Sequence, residues 1–233
     1  KGETYFADDT ARRKNLGIPD HKIALTDEGH RQARVTGVAL REMFPPPDYL
    51  YHSGYLRTIQ TADDILEAYP EEVRSSIQIR TNEFLRERDP GYTYDMTTEE
   101  AEAAFPWLSE YWKVFGSFFS RPPGGESISD VTERVYAVLN MLFRDRAGMN
   151  IFLVVHGGTI RGFRYLLEHH TYDWAAKWPE GERPKNCGMT IYEFDPDAKR
   201  LMLRAQNLVA WQPLIRPSLY FEPRLVRHTS QPT

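Results

Sequence analysis

The stretch that decides the fold is Ile151-Phe-Leu-Val-Val155, followed by His156-Gly-Gly158 and a helical pattern over residues 159–168. The apolar run predicts a buried strand, and the glycine pair predicts a turn into the helix. Strand, glycine turn and helix are together typical of a parallel βα unit. His156 thus lies at the carboxyl end of a strand, where α/β folds place ligands, and just before a helix N-terminus, which favours an anion. We therefore favour a functional role for His156 over a core histidine that serves structure alone.

Strand and helix patterns alternate on both sides of this unit. Thr26 is the expected N-cap of a first helix that the prolines at positions 45–47 end. The alternation predicts a three-layer α/β/α sandwich with a mainly parallel mixed sheet, in a single domain of residues 1–233. Further strands are predicted at residues 49–51, 77–80, 190–194, 201–205 and 224–227, and further helices at about 57–69, 97–119 (interrupted by Pro106) and 129–146.

Composition excludes several classes of protein. The 233 residues carry a net charge of -4, which gives no global basic surface for nucleic acid. A single cysteine, Cys187, rules out an intrachain disulfide and a cysteine-based metal cluster. No apolar run reaches the length of a membrane span and no signal-peptide pattern opens the chain. We expect a cytoplasmic protein, with a nuclear location left open, that binds neither nucleic acid nor membrane. Its oligomeric state is open, a homodimer included.

Three further segments carry charged side chains in suggestive positions. Arg57 follows Ser53-Gly-Tyr-Leu near the start of a helix, where an arginine is by itself more often solvated. Glu87 lies in a charged run that is ordinarily a solvated turn, and the local pattern does not distinguish it from Glu83 or Asp89. Arg227-His228 follows two apolar residues, an arrangement in which a buried strand would present an imidazole beside a guanidinium.

Together these segments resemble the histidine phosphatase superfamily (phosphoglycerate mutase-like). The stretches Pro19-Asp-His-Lys-Ile-Ala-Leu25-Thr26 and Arg121-Pro-Pro-Gly-Gly-Glu-Ser127 are also similar to family segments. The Arg-His strand normally comes first in this family, whereas here it comes last, and Gly2-Glu-Thr4 resembles the family's residues just after the pair. The chain is therefore identified as a circularly permuted member. The family's asparagine a few residues beyond the histidine has no clear counterpart.

The resemblance implies a mechanism and assigns its residues. His228 would be the nucleophile, with Arg227, Arg57 and His156 binding the phosphate and His156 donating a hydrogen bond to it. Glu87 would be the general acid and base, so that His228, Glu87 and His156 form the catalytic set. The resemblance implies no cofactor and no metal, and a small-molecule or protein phosphomonoester as the substrate. The strand that carries His228 is expected to lie parallel to residues 151–155.

Alternative functions stay open at this point. One is a phosphoglycerate mutase-type phosphotransferase, for which Arg121 is a candidate anchor of a second acidic group. Another is a catalytically silent module that binds phosphate or a phosphoprotein. The Arg-His pair could also be coincidental. Five aromatic residues in the segment that usually caps such pockets are expected to be core rather than a recognition surface: Tyr92, Tyr94, Trp107, Phe115 and Phe118.

Overall fold

The computed structural model describes residues 17–94 and 96–212, so the strand expected at residues 224–227, with Arg227 and His228, lies outside the described residues. Five strands and eight α-helices occur in the described part of the chain. The strands are β1 (Tyr49–His52), β2 (Gln78–Thr81), β3 (Ile151–Val154), β4 (Met189–Asp195) and β5 (Arg200–Leu208). The helices are α1 (Asp27–Met43), α2 (Leu56–Leu66), α3 (Glu71–Arg74), α4 (Thr98–Ala104), α5 (Leu108–Phe115), α6 (Ile128–Asp145), α7 (Gly157–Leu167) and α8 (Tyr172–Ala176).

The first three strands form a parallel sheet in the order β2-β1-β3. Leu50 of β1 is in register with Ile79 of β2 and Phe152 of β3. All three strands end at the same edge of the sheet, because parallel strands run in one direction. The residues that follow β1, β2 and β3 are therefore brought together, which confirms the predicted α/β fold with a parallel sheet.

Side-chain alternation along β1 gives the sheet a core on each face. Leu50 is fully buried in one core, with Ala62 and Ile65 of α2. Tyr51 belongs to the other core, with Val135 of α6 and others from α7. Helices therefore cover both faces of the sheet and produce the three layers that the sequence predicts.

Capping residues set the helix ends that place the site. The Thr26 hydroxyl accepts a hydrogen bond from the Gly29 amide at 3.1 Å, so the predicted N-cap of α1 is confirmed. Ser127 and Asp130 form a reciprocal capping box at the start of α6. These caps satisfy amides that have no partner within their helices.

The remaining strands form an antiparallel hairpin, β4–β5. Within residues 17–94 and 96–212 the hairpin is a separate two-stranded sheet, and no described strand pairs with the second edge of β3 or of β4. All four residues of β3 keep partial exposure. Among the described residues, the predicted mixed sheet is therefore seen as a parallel three-stranded sheet and a separate antiparallel hairpin.

The aromatic segment lies between Gly91 and Gly125, and the backbones at its two ends are in contact. The Tyr92 amide donates to the Pro123 carbonyl at 2.8 Å, and the Glu126 amide donates to the Asp89 carbonyl at 2.9 Å. Gly91 has a φ of +60°, and a Cβ there would lie 2.1 Å from the Pro123 oxygen. Glycine is therefore required where the two backbones touch.

The expectation that the aromatic side chains of this segment form core is wrong for three of them. Tyr92, Trp107 and Phe115 are 71%, 54% and 59% exposed, whereas Phe118 is buried and packs against Tyr165 at 5.2 Å. The reason is that α4 and α5 are short helices in this segment, and few other residues pack against their outer faces. None of the helices in the described ranges has the length and apolar character needed to span a membrane.

Candidate active site

His156 lies where β3 ends, at the N-cap position of α7, and is 7% exposed. Its Nε2 is 2.8 Å from the Ser53 hydroxyl, and the Tyr55 ring packs against the imidazole at 5.0 Å. Burial, followed by the positive charges of Arg57 and Arg134, lowers the pKa of His156 to about 3. His156 is therefore neutral at physiological pH.

Arg57 lies in the first turn of α2 and faces the same space. Its guanidinium stacks over the Tyr55 ring, 4.8 Å from the centroid. The Asp20 carboxylate engages the guanidinium at 2.9 Å and 3.2 Å, and the Asp20 carbonyl accepts a third bond at 2.7 Å. With 19% of its side chain exposed, Arg57 is not a solvated helix residue.

Glu87 follows the short 3₁₀ turn Glu83–Leu85, and its carboxyl group is enclosed although the residue as a whole keeps partial exposure. The carboxyl Oε1 accepts hydrogen bonds from the Gly158 amide at 2.9 Å and the Arg88 amide at 2.8 Å. Burial raises the pKa of Glu87, against the opposing effect of those two bonds and of Arg57 and Arg134. A raised pKa suits a proton donor at neutral pH.

The structure separates Glu87 from the neighbouring acids that the sequence left as alternatives. Glu83 is exposed on the 3₁₀ turn, and Asp89 is exposed with its carboxylate accepting the Gly91 amide at 2.8 Å. Gly158 explains the close approach of Glu87, because a Cβ at that position would lie 2.5 Å from the Glu87 Oε1. The second glycine of the motif thus opens the space for the carboxyl group.

A buried ion pair behind Glu87 holds its loop. Arg134 is 8% exposed and donates to the Phe84 carbonyl at 2.6 Å and to the Glu87 carbonyl at 3.2 Å. The Glu126 carboxylate accepts from Arg134 at 3.1 Å and from the Asp89 amide at 3.0 Å. Sequence reasoning missed Arg134, although a charged residue on the buried face of α6 was a usable signal.

Arg161, one turn beyond the glycine pair, adds positive charge near Glu87. Its guanidinium stacks over Trp178 at 4.7 Å and donates to the Ala175 carbonyl at 3.2 Å. Burial, followed by the charge of Arg88, lowers the pKa of Arg161 to about 10. Arg161 therefore stays charged at neutral pH.

Arg121 does not serve as the free anchor that was considered for it. Both arms of its guanidinium are held by Asp130, at 2.6 Å and 2.5 Å, on an exposed surface. The pair also supports the cap of α6, because Asp130 accepts from the Ser127 amide. Arg121, a candidate anchor under the mutase alternative, is therefore engaged by Asp130 in this structure.

Three of the five predicted site residues thus come together: Arg57, Glu87 and His156. The other two, Arg227 and His228, lie outside the described residues. Over residues 17–94 and 96–212, no group of three or more His, Cys, Asp or Glu side chains is placed to hold a metal ion. The described part of the site combines a neutral imidazole, an enclosed carboxyl group and a guanidinium, which suits an anionic ligand.

The chain belongs to the histidine phosphatase superfamily (branch 1), whose sequence model matches residues 7–207. The match ends before Arg227 and His228 and begins after Gly2-Glu-Thr4. It therefore establishes the family, while the permuted order of segments stays a prediction.

The chain is similar to proteins named as phosphoglycerate mutases or as phosphoglycerate mutase-like proteins. The chain is 33% identical over 194 residues to the phosphoglycerate mutase-like protein AT74 of Arabidopsis thaliana, covering 76% of this chain and 58% of that one. It is 30% identical over 161 residues to a 2,3-bisphosphoglycerate-dependent phosphoglycerate mutase of Sinorhizobium fredii, covering 68% of this chain and 74% of that one. The chain spans less than two thirds of the length of AT74 and of a second Arabidopsis relative, AT74H.

Solved structures share the fold. A mycobacterial glucosyl-3-phosphoglycerate phosphatase in complex with inorganic phosphate superimposes with a TM-score of 0.64 at 22% identity, over 80% of this chain and 88% of that one. Bacillus stearothermophilus YhfR gives a TM-score of 0.63 at 22% identity, over 81% and 86% of the two chains.

Proposed function

We propose that this chain is a metal-independent phosphomonoesterase that works through a phosphohistidine intermediate on His228. The observation that carries the proposal is the convergence of Arg57, Glu87 and His156 at the carboxyl edge of the parallel sheet. A phosphate-binding role alone would not call for an enclosed carboxyl group with a raised pKa beside the anion site.

The first chemical step transfers the phosphoryl group to the protein. Arg227 and Arg57 hold the phosphoryl oxygens with planar forks, and His156 contacts a further oxygen. An imidazole nitrogen of His228 attacks phosphorus in line, the N–P bond forms, and the ester P–O bond breaks. Glu87 transfers its proton to the leaving alkoxide, so the alcohol departs neutral.

The second step returns the protein to its starting state. A water molecule attacks phosphorus as Glu87, now a carboxylate, takes one of its protons. The N–P bond breaks, inorganic phosphate leaves, and His228 and protonated Glu87 are restored. Fixed positive charge from Arg57 and Arg227 supplies most of the acceleration, because it faces the equatorial oxygens without reorganising.

Two observations support these roles. Burial raises the pKa of Glu87, which is the direction that a proton donor requires. The second edge of β3 has no described partner, which leaves a place beside His156 for residues 224–227 to pair in parallel. In that position His228 would lie at the carboxyl end of its strand, at the same edge of the sheet where His156 lies at the end of β3.

Hydrolysis of p-nitrophenyl phosphate by the whole chain in the presence of a metal chelator tests the proposal. We expect turnover that falls by at least about 10³-fold in His228→Ala, since the nucleophile is lost, and by about 10²–10⁴-fold in Glu87→Gln. His169→Asn, an exposed histidine with a positive φ of 55° that asparagine tolerates, is the matched control. Turnover in His228→Ala equal to that of the control would refute the nucleophile.

Trapping the intermediate tests the same step directly. Brief incubation with a ³²P-labelled phosphoester, followed by alkaline quench, is expected to leave acid-labile label on the wild type and on His169→Asn, and none on His228→Ala. Label that persists in His228→Ala would place the phosphohistidine elsewhere.

The mutase alternative is favoured by the names of relatives such as the Sinorhizobium fredii protein. A mutase would interconvert 2- and 3-phosphoglycerate when primed with 2,3-bisphosphoglycerate, faster than it releases phosphate. A catalytically silent binding module would instead bind inorganic phosphate with wild-type turnover indistinguishable from that of His228→Ala.

A further inference from the structure

A chain of buried hydrogen bonds runs behind His156. The His156 Nε2 lies 2.8 Å from the Ser53 hydroxyl, which lies 2.9 Å from the Thr58 hydroxyl. The Thr58 hydroxyl lies 2.8 Å from the Tyr55 carbonyl oxygen, and the Tyr55 amide donates to the Ser53 oxygen at 3.3 Å. Ser53, Thr58 and His156 are 4%, 3% and 7% exposed, which leaves little access for water to supply a missing hydrogen.

Counting hydrogens fixes the direction of this chain, because each hydroxyl has one hydrogen to donate. The Tyr55 carbonyl can only accept, so the hydrogen in its contact with Thr58 comes from Thr58. Thr58 must then accept from Ser53, which uses the single hydrogen of Ser53. The Ser53 oxygen therefore accepts from His156, and Nε2 of His156 carries the hydrogen.

The opposite direction leaves one contact without a hydrogen. If Ser53 donated to Nε2, Thr58 would have to donate to Ser53. The Thr58 and Tyr55 oxygens would then face each other at 2.8 Å with no hydrogen between them, a repulsive contact.

We infer that Ser53 and Thr58 are positioning residues that hold His156 in its Nε2–H tautomer, so that Nδ1 is offered to a ligand as a hydrogen-bond acceptor. None of the residues in the ranges 17–94 and 96–212 forms a hydrogen bond with Nδ1. Sequence reasoning assigned His156 a donor role toward phosphate. The hydrogen-bond chain reverses that role for the neutral imidazole.

The reversed role limits the protonation state of the complex with phosphate, a consequence that rests on the proposed function although the tautomer does not. A fully ionised phosphoryl oxygen can only accept, and so can a bare Nδ1. The contact therefore needs one proton that neither partner holds beforehand. Among the described residues the imidazole faces the cations Arg57 and Arg134 and the Tyr55 ring, and the Glu87 carboxyl lies at the start of the helix that follows it. The proposed function adds Arg227 and His228 to these groups.

Long-range ¹H–¹⁵N correlation spectra of the whole chain labelled at histidine nitrogens test the tautomer directly, with no need for turnover. Signals of His156 are those that His156→Asn removes. We expect the pattern of a neutral ring protonated at Nε2. A ring protonated at Nδ1 in the wild type would overturn the inference.

Two variants of Thr58 test the relay itself. Thr58→Val keeps the shape but removes the acceptor for Ser53, whose hydrogen is then expected to turn to Nε2 and drive His156 to the Nδ1–H tautomer. Thr58→Ser keeps the hydroxyl and is expected to retain the wild-type pattern. A Thr58→Val protein that folds with Nε2 still protonated would refute the relay, and the wild-type spectrum decides the tautomer even if that variant does not fold.

Calorimetric titration with inorganic phosphate tests the consequence. At about pH 8, where phosphate is largely a dianion, titrations in buffers of different ionisation enthalpy report the protons bound with each ion. We expect uptake of about one proton per phosphate in the wild type and in Thr58→Ser. Uptake near zero in the wild type would refute the acceptor role. No binding at all would refute the proposed function, whereas the tautomer is decided by the spectra.

Discussion

At the scale of single residues, Glu87 shows how a neighbour 71 positions away in the chain determines the chemistry of a side chain. Its sequence context, a run of charges, is the same as that of Glu83 and Asp89. Glu87 differs from these two acids because its carboxyl group accepts a hydrogen bond from the Gly158 amide and because burial raises its pKa. The sequence predicted the residue through family resemblance, because local patterns contain no information on which acid becomes enclosed.

Glu87→Gln is expected to stabilise the protein at neutral pH and above. The pKa of Glu87 is higher in the folded than in the unfolded state, so folding binds a proton and stability falls as pH rises from about 4.3 through the raised pKa. Because a glutamine side chain does not titrate, the variant does not lose stability in this way as pH rises. Its side-chain carbonyl can still accept the hydrogen bond from the Gly158 amide.

Urea unfolding at several pH values measures the effect. At about pH 8 the Gln variant is expected to have a larger free energy of unfolding than the wild type. The part of that difference that depends on pH is expected to disappear near pH 4. Glu83→Gln, an exposed acid of the same segment, is the control and should show no such dependence. If the wild type is more stable than the Gln variant at pH 8, the ionised Glu87 carboxylate is stabilised by its surroundings and the prediction is wrong.

Asp20→Asn is expected to tighten inhibition by inorganic phosphate. The Asp20 carboxylate engages both arms of the Arg57 guanidinium, so an arriving phosphate competes with a negative charge for the same donors. Loss of that charge should lower the inhibition constant by about tenfold.

Asp197→Asn is the matched control, because it removes an equal charge on the exposed β4–β5 turn. The comparison needs inhibition constants at one ionic strength. A weaker inhibition in Asp20→Asn would mean that Asp20 orients Arg57 for phosphate and does not compete with it.

At the scale of elements, predictions succeeded where a run, a cap or a proline marks the chain. The apolar run of β3, the Thr26 cap and the break at Pro106 all occur where they were predicted. The single-turn helices Glu71–Arg74 and Tyr172–Ala176 were missed, because so few residues show no periodicity. The exposure of the aromatic segment was missed because an apolar side chain on a short helix does not reveal whether anything packs over it.

Gly37→Ala is expected to destabilise the contact between α1 and α2. A Cβ at Gly37 would lie 2.5 Å from the Ile65 carbonyl oxygen and 2.8 Å from its Cα, so backbone would have to move. Overpacking of this kind costs about 1–3 kcal/mol, more than the gain of up to about 1 kcal/mol from helix propensity.

Gly29→Ala in the same helix is the control, since its Cβ would meet the flexible end of the Leu25 side chain at 3.2 Å. We expect it to change stability by less than about 1 kcal/mol. Thermal or urea unfolding compares the two variants. Equal stability of both would show that the helices can separate slightly without loss.

At the scale of the whole molecule, the sequence predicted the parallel sheet but could not fix its full strand order. Pairing between strands far apart in the chain leaves no local signal, so the neighbour of β3 had to be inferred from resemblance. Among the described residues β3 has one partner, β1, and its pairing with residues 224–227 stays a prediction.

Deletion of residues 218–233 is expected to expose one edge of β3. Alternate amides of a parallel strand bond to opposite neighbours, so the amides directed away from β1 should exchange with solvent faster after deletion. Hydrogen exchange followed at single residues measures this.

Amides of β2 that pair with β1 serve as the internal reference and should keep their rates. Turnover of p-nitrophenyl phosphate should be lost in the same deletion. Unchanged exchange along both edges of β3 would refute the pairing of residues 224–227 with this strand.

The touching backbones at Gly91 and Gly125 have a consequence for how this chain could diversify. The segment between them starts and finishes at one spot, so changes in its exposed helices α4 and α5 need not disturb Glu87 on one side or Glu126 on the other. The exposed part of the segment can thus vary in length and sequence while the enclosed carboxyl group and the ion pair behind it stay in place.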